Sequence, residues 1–317
     1  MASLLGQIPS TTTAAYLKAL SDAVFQGNPV FKKLYQKGIK YDGGQEIREP
    51  IIAAQANGGP FSGMETLVAP DNNEVDSARY SWKQFYASVG LDGLSLAQNS
   101  GVEAMIDLWG GKLEVMQMTL EEKLATSMWT PSGTGASTDL TLIEEIAGAG
   151  SLEVGTLTST EVGTWAGAVQ TDHSGASLTY AKVLTGYLAC SEGNIRPDLL
   201  VGSKGSYAVV EALMTTNQRY IGGDKTFGFE NILFHDAMVV WDGHVSEATT
   251  GGSTIPKLLR LFYLNTKFLH LSIHKDNAFR VKEVEPNYQD GRLAFLFLYG
   301  NLTCNNRRFQ GFISDFT

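Results

Sequence analysis

The feature that most constrains the fold is a stretch rich in Gly, Pro, Asn and Asp, residues 54–76, lying between two strand-like segments. Connections inside compact domains run about 4–6 residues, so one of more than twenty implies a projection with a purpose. Residues 45–53 read as one strand. Residues 77–91 read as a longer one, with Tyr80, Trp82 and Tyr86 on one face at period two. The first flank is half charged (Glu46, Arg48, Glu49), which suits a ribbon that projects and not a core hairpin. A two-stranded ribbon alone is marginally stable in water. It is therefore expected to lie on another subunit, with the tip residues Phe61, Met64 and Leu67 as its apolar anchors.

A long helix follows. Asn99-Ser100 can cap it, with Glu103 completing a capping box. Val102, Ile106, Trp109, Leu113, Met116, Leu120, Leu124 and Met128 then recur by threes and fours. A helix over 101–129 spans about 43 Å at ~1.5 Å per residue, well beyond the usual ~11–12 residues. Gly110-Gly111 within it costs about 1 kcal/mol per glycine relative to Ala, so the helix bends there or another backbone packs closely.

Before the ribbon, residues 11–25 carry Ala15, Leu17, Leu20 and Val24 at helical spacing. Asn28-Pro29 restarts a helix as cap and first residue, with Val30, Phe31, Leu34 and Tyr35 on one face. Two short amphipathic helices so early read as an arm, covered either by the body of the protein or by a neighbour. Its candidate contacts are Phe25, Phe31, Leu34 and Tyr35.

Residues 130–176 are Gly/Ser/Thr-rich with few signals. Beyond them a helix is predicted over 177–190, with Tyr180, Leu184, Tyr187 and Leu188 facing inward. A short buried strand over 197–202 and a helix over 203–214 come next, an alternation that suggests a small α/β domain. Strands are expected at 232–234, 238–241, 258–264, 268–274, 279–284 and 292–302.

The chain of 317 residues has a net charge of −9 and only 18% charged residues. Its longest basic run is Arg307-Arg308, which excludes the clustered charge of a sequence-reading nucleic-acid binder. Cys190 and Cys304 lack metal or redox spacing and read as packed thiols. The longest apolar run, 293–299, falls far short of the ~20 residues of a membrane helix.

No catalytic kernel is visible, and no cofactor or metal is expected. His270 and His274 alternate with Leu269, Leu271 and Ile273, as on the polar face of a strand. His235-Asp236 and Asp242-Gly243-His244 read as turns. The 222–226 stretch lacks the glycine spacing and Gly-Lys-Ser/Thr of a phosphate loop. Asn301-Leu302-Thr303 matches a glycosylation sequon, but nothing places the chain in a secretory route.

The wording of the sequence is more specific than its patterns. FQGNPVFKKLYQKG, GGQEIREPI, ARYSWKQ, QNSG, RPDLLVGSKGSY, NQRY, FYLNTKFL and GNLTCNNRRFQG occur in that order from residue 25 to residue 311. Through these stretches the chain resembles the major capsid proteins of tailed bacteriophages. The resemblance implies an α+β, Hong Kong 97-like capsid fold. It has an N-terminal arm (1–43), an extended β-hairpin loop (44–93), a peripheral domain on a spine helix (94–178 and 279–302), and an axial α/β domain (179–278 and 303–317). It further implies hexamers and pentamers of the chain tiling an icosahedral shell around double-stranded DNA, with a portal protein and, in some relatives, scaffolding and cement proteins as partners.

The sequence departs from that pattern twice. Some relatives weld their shells by an isopeptide bond from a loop-tip lysine, but residues 54–76 contain none. The chain also starts almost directly at the arm, so a separate scaffolding protein, or none, is expected. The alternatives are an encapsulin-type cargo compartment of the same fold and a soluble α/β hydrolase.

Overall fold

The computed structural model describes residues 29–64, 66–67, 74–98, 108–130, 138–148, 153–216, 232–245, 259–284 and 290–316. The chain runs α1 (Pro29–Gln36), β1 (Ile39–Tyr41), β2 (Ile47–Ile52), β3 (Val75–Tyr80), β4 (Lys83–Asp92), α2 (Gly93–Gln98), α3 (Leu108–Trp129) and α4 (Ile143–Ala147). It continues with β5 (Val169–Ala176), α5 (Tyr180–Ala189), β6 (Leu199–Gly202), α6 (Lys204–Thr216), β7 (Ile232–Phe234) and β8 (Ala237–Trp241). The last strands are β9 (Leu259–Leu264), β10 (Leu269–His274), β11 (Arg280–Val284), β12 (Gly291–Cys304) and β13 (Gly311–Phe316).

One sheet is organised by β12. It pairs antiparallel with β4 along one edge, from Gly291↔Asp92 to Gly300↔Lys83. β11 and β10 pair with it antiparallel as well, and β1 extends β10 in parallel. The inward residues Ala87, Ala294, Leu296 and Leu298 are buried in one core with Met116, Leu120, Leu124 and Met128 of α3.

The second sheet has the order β5-β13-β9-β6-β8-β7. Alternation places Leu199 and Val201 of β6 in the core shared with α3, and Leu200 in a second core with α5 and α6. Both faces are covered, which is why Leu-Leu-Val-Gly is an unbroken buried run.

The crossing from β12 to β13 is held by Arg307, whose side chain has no solvent exposure. Its guanidinium donates to the backbone carbonyls of Glu145 (2.7 Å), Ile146 (3.0 Å), Gly148 (3.1 Å) and Trp165 (3.2 Å). Three of these lie at the C-terminal end of α4, where helical carbonyls lack partners within the helix. Gln310 is equally buried and trades two bonds with the Asn265 backbone, accepting at 2.8 Å and donating at 3.1 Å.

Several expectations are corrected. Residues 77–91 are two strands in two sheets, because the chain turns at Ser81-Trp82. There Asn301 donates to the Ser81 carbonyl (3.0 Å) and Trp82 to the Gly44 carbonyl (2.9 Å). The turn breaks the alternation, so Tyr80 is buried and Tyr86 is exposed. Glu49 is interior, accepting from the Tyr41 hydroxyl (3.0 Å) and the Thr303 hydroxyl (3.1 Å), so the base of the ribbon belongs to the core. Leu188 points outward. Strands β1, β5 and β13 lie where no strand was expected: β1 and β5 are recruited at sheet edges, and β13 is held between β5 and β9.

The two sheets draw strands from more than one of the expected segments. β4, expected in the extended loop, and β10, expected in the axial domain, both pair in the β12 sheet, while β5, expected in the peripheral domain, pairs in the second. The predicted helix over 11–25, the Asn28 cap, the Asn99-Ser100 capping box with Glu103, Val102 and Ile106, and the 222–226 stretch lie outside the described residues. At Gly111 a methyl group would meet nothing within 4 Å, so close backbone packing does not explain that glycine.

Replacing Arg307 should be severe. The Glu145 and Gly148 carbonyls also accept from the Gly148 and Gly167 amides, so Arg307→Ala strips its donor chiefly from the Ile146 and Trp165 carbonyls. At about 1–3 kcal/mol for each buried acceptor left unpaired, the variant should lose about 2–6 kcal/mol in urea unfolding or fail to accumulate as soluble protein. Arg307→Lys should recover only part of this, because an ammonium cannot reproduce the planar fork.

Candidate assembly interface

The ribbon pairs β2 with β3 in register from Ile47↔Tyr80 to Ile52↔Val75. Its base is clamped. The Tyr80 hydroxyl donates to the Cys304 carbonyl (2.8 Å), and the Arg79 amide donates to the Gly155 carbonyl (2.7 Å). Gly155 has φ +64°, and a Cβ there would sit 2.9 Å from both Ala78 and Tyr80, so only glycine lets this segment close on the ribbon. Outward of the base, Ile52 is 80% and Val75 66% exposed.

The described loop residues beyond them form no helix or strand. Phe61 (64%), Met64 (fully) and Leu67 (68%) are exposed, so none is covered by its own subunit. The expected arm contacts divide differently. Phe31 and Leu34 are buried in the chain's own core with Val30, whereas Tyr35 is 40% exposed, stacked on Phe31 and edge-on to Phe279. Phe25 lies outside the described residues.

An ionic tie seats α1. Asp198 accepts from the Thr266 hydroxyl (2.5 Å) and amide (2.7 Å), and lies 3.1 Å from the Lys33 ammonium and 3.4 Å from that of Lys37. Burial pushes the Asp198 carboxyl up, but Lys33, Thr266 and Lys37 together outweigh it and hold the group below its ordinary value. Burial pulls Lys33 down against the attraction of Asp198.

A second surface, half-buried, escaped the sequence reading. On β12, Phe295, Phe297 and Tyr299 point away from the core that takes Ala294, Leu296 and Leu298. Phe295 and Phe297 stack at 6.1 Å, and Phe297 and Tyr299 meet at 6.4 Å. Tyr86 lies opposite Phe297 on β4, while the exposed Arg280 and Lys282 of β11 lie opposite Phe297 and Phe295. The run over 293–299 reads as uniformly apolar. Its aromatic alternation was the available signal.

Neither surface carries the ingredients of catalysis. Among the described residues no His/Cys/Asp/Glu group could hold a metal, and no helix is long and apolar enough to cross a membrane. Cys190 and Cys304 are buried free thiols whose pKa burial pushes up to about 12. The Asn301 sequon is fully interior. A cavity of about 330 Å³ at the ribbon base is lined by Arg79, Lys83, Asp139, Glu145 and Glu153 among others, a mixed-charge surface without a nucleophile–base pair.

No protein-family model and no curated sequence matches the chain. Solved structures do. The cyanophage A-1(L) capsid asymmetric unit superposes with a TM-score of 0.70 at 14% identity, over 94% of this chain and 95% of that one. The capsid of a native GTA particle gives 0.64 at 12% identity, over 96% and 99%. The chain has the Hong Kong 97-like capsid fold. The holo-SrpI encapsulin complex from Synechococcus elongatus PCC 7942 shares it, at a TM-score of 0.58 and 9% identity over 96% and 94%.

The Asp198 tie has a definite pH sense. A depressed carboxyl contributes stability above its ordinary value of 3.8 and loses it as pH falls through the lower folded value. Hydrogen exchange in residues 33–38 should therefore rise in the wild type only below about pH 4. Asp198→Asn should show the raised exchange already at pH 7.

Proposed function

We propose that this chain is a major capsid protein whose copies assemble into an icosahedral shell of hexamers and pentamers around double-stranded DNA. The observation that carries this reading is the presence of two unlike surfaces on one chain of capsid fold, an exposed loop tip and a half-buried aromatic row beside the exposed Tyr86. The loop over 54–76 has Phe61, Met64 and Leu67 with four carboxylates and no basic residue. The β12 face offers an aromatic row flanked by Arg280 and Lys282. Neither surface covers the other within a subunit, so the contact is heterologous: the loop of one copy on the sheet of the next. Contacts of that kind close into rings when the rotation permits.

Burial contributes about 25 cal/mol per Å² before the entropy of ordering is subtracted. Ring closure adds avidity to each such contact. A portal protein, a scaffolding protein and cement proteins are the partners such a shell would recruit. The acidic chain encloses DNA without reading its sequence.

Electron microscopy of the purified protein tests the proposal. Shells co-purifying with DNA, portal and tail proteins support it; shells holding enzymes support a cargo compartment instead; a monodisperse ~34 kDa species with turnover would support the hydrolase alternative. Phe61→Ser/Met64→Ser/Leu67→Ser together should leave a soluble subunit that forms no shells, and normal particles from that variant would remove the loop from the interface. Because the loop has no lysine, denaturing electrophoresis of mature particles should show a single band at the 34.3 kDa of the chain, with no ladder above it.

A further inference from the structure

His244 sits in the turn after β8, where its amide donates to Asp242 Oδ1 (3.0 Å). Its ring meets two carboxylates at once. Nδ1 lies 2.9 Å from Asp242 Oδ1, and Nε2 lies 2.8 Å from Glu122 Oε1 on α3. The His244 and Asp242 side chains are 6% and 1% exposed, and that of Glu122 is 22% exposed. These two carboxylates are the charged groups acting on the ring.

A neutral imidazole has one N–H and one lone pair. With both nitrogens at hydrogen-bond distance from carboxylates, a neutral ring would aim a lone pair at an anion in a half-dry site. The imidazolium alone donates to both. Burial opposes the charge, but Asp242 and Glu122 outweigh it and raise the pKa above the ordinary 6.5.

The arrangement joins two bodies. Glu122 belongs to the spine helix, whereas Asp242 and His244 follow directly from β8 of the second sheet. Val240 and Val245, on either side of the turn, pack in the core shared with Leu124 and Met128. We propose that His244 is a proton-operated pin between the spine helix and the six-stranded sheet, closed when the imidazole carries both protons and released when it loses one. Release exchanges one donated bond for repulsion at the Glu122 or Asp242 contact, which loosens α3 against the sheet without breaking a strand pairing. The pin lies within one subunit and works whether or not copies assemble.

The sign follows from the raised pKa: the tie is fully present below 6.5 and is lost as pH rises through the folded value. Glu122→Gln supplies a discriminating variant. A neutral His244 can then donate from Nδ1 to Asp242 and accept the introduced side-chain amide at Nε2, so the contact is satisfied without a second proton. Hydrogen exchange followed by mass spectrometry on the full-length protein, corrected for intrinsic exchange, should show protection in residues 115–128 falling several-fold from pH 6 to pH 9 in the wild type. It should stay flat in Glu122→Gln. A flat wild-type profile, or an equal fall in Glu122→Gln, overturns the pin. Should Glu122→Gln fail to fold, the thermal unfolding gap between wild type and His244→Gln decides the matter. The gap should close as pH rises from 6 to 9, and a constant gap rejects the proposal.

Discussion

One buried guanidinium decides how the two sheets of this chain are held together. Arg307 stands where β12 gives way to β13, and its four carbonyl partners come from the end of α4 and from Trp165, shortly before β5. Backbone amides reach the Glu145 and Gly148 carbonyls, but without Arg307 the Ile146 and Trp165 carbonyls would lose their donor in an apolar interior, which is costly. Arg307 converts the liability into a fastening. Gln310 repeats the device one layer over, reading the backbone of Asn265 at the end of β9. Around this junction the long β12 ladder and the doubly covered second sheet become one body.

That rigidity is what lets the exposed parts be different in kind. The ribbon base is tied through Tyr80, Glu49 and Gly155, so the loop beyond Ile52 and Val75 extends from a fixed direction. The aromatic row is equally fixed, because the other face of the same strands carries the core residues Ala294, Leu296 and Leu298. The heterologous contact proposed for this chain requires this: if the angle between the two surfaces wandered, successive copies would not close a ring.

The ionic ties are distributed in a complementary way. Asp198 binds the arm helix through Lys33 and Lys37 and weakens in acid, whereas His244 bridges the spine helix to the second sheet and weakens in base. The subunit is therefore most firmly drawn together between those limits. Its two adjustable seams respond to opposite changes.

Local periodicity made much of this legible. Met116, Leu120, Leu124 and Met128 marked the spine helix, Pro29 the arm helix, and the Leu-Leu-Val-Gly run a strand buried on both faces. The exposed tip of Phe61, Met64 and Leu67 could be read from the length and composition of its loop, since nothing nearby in sequence could bury it. What depended on partners far along the chain could not. The break at Ser81-Trp82 is made by Asn301 and Gly44, the interior place of Glu49 by Thr303, the role of Arg307 by α4, and the charge on His244 by Glu122. By itself the sequence determined the elements and the projecting loop, because side-chain period and turn chemistry act over a few residues. The tertiary structure alone decided which polar groups are buried and which face stays open, because desolvation is set by neighbours that only the fold brings together.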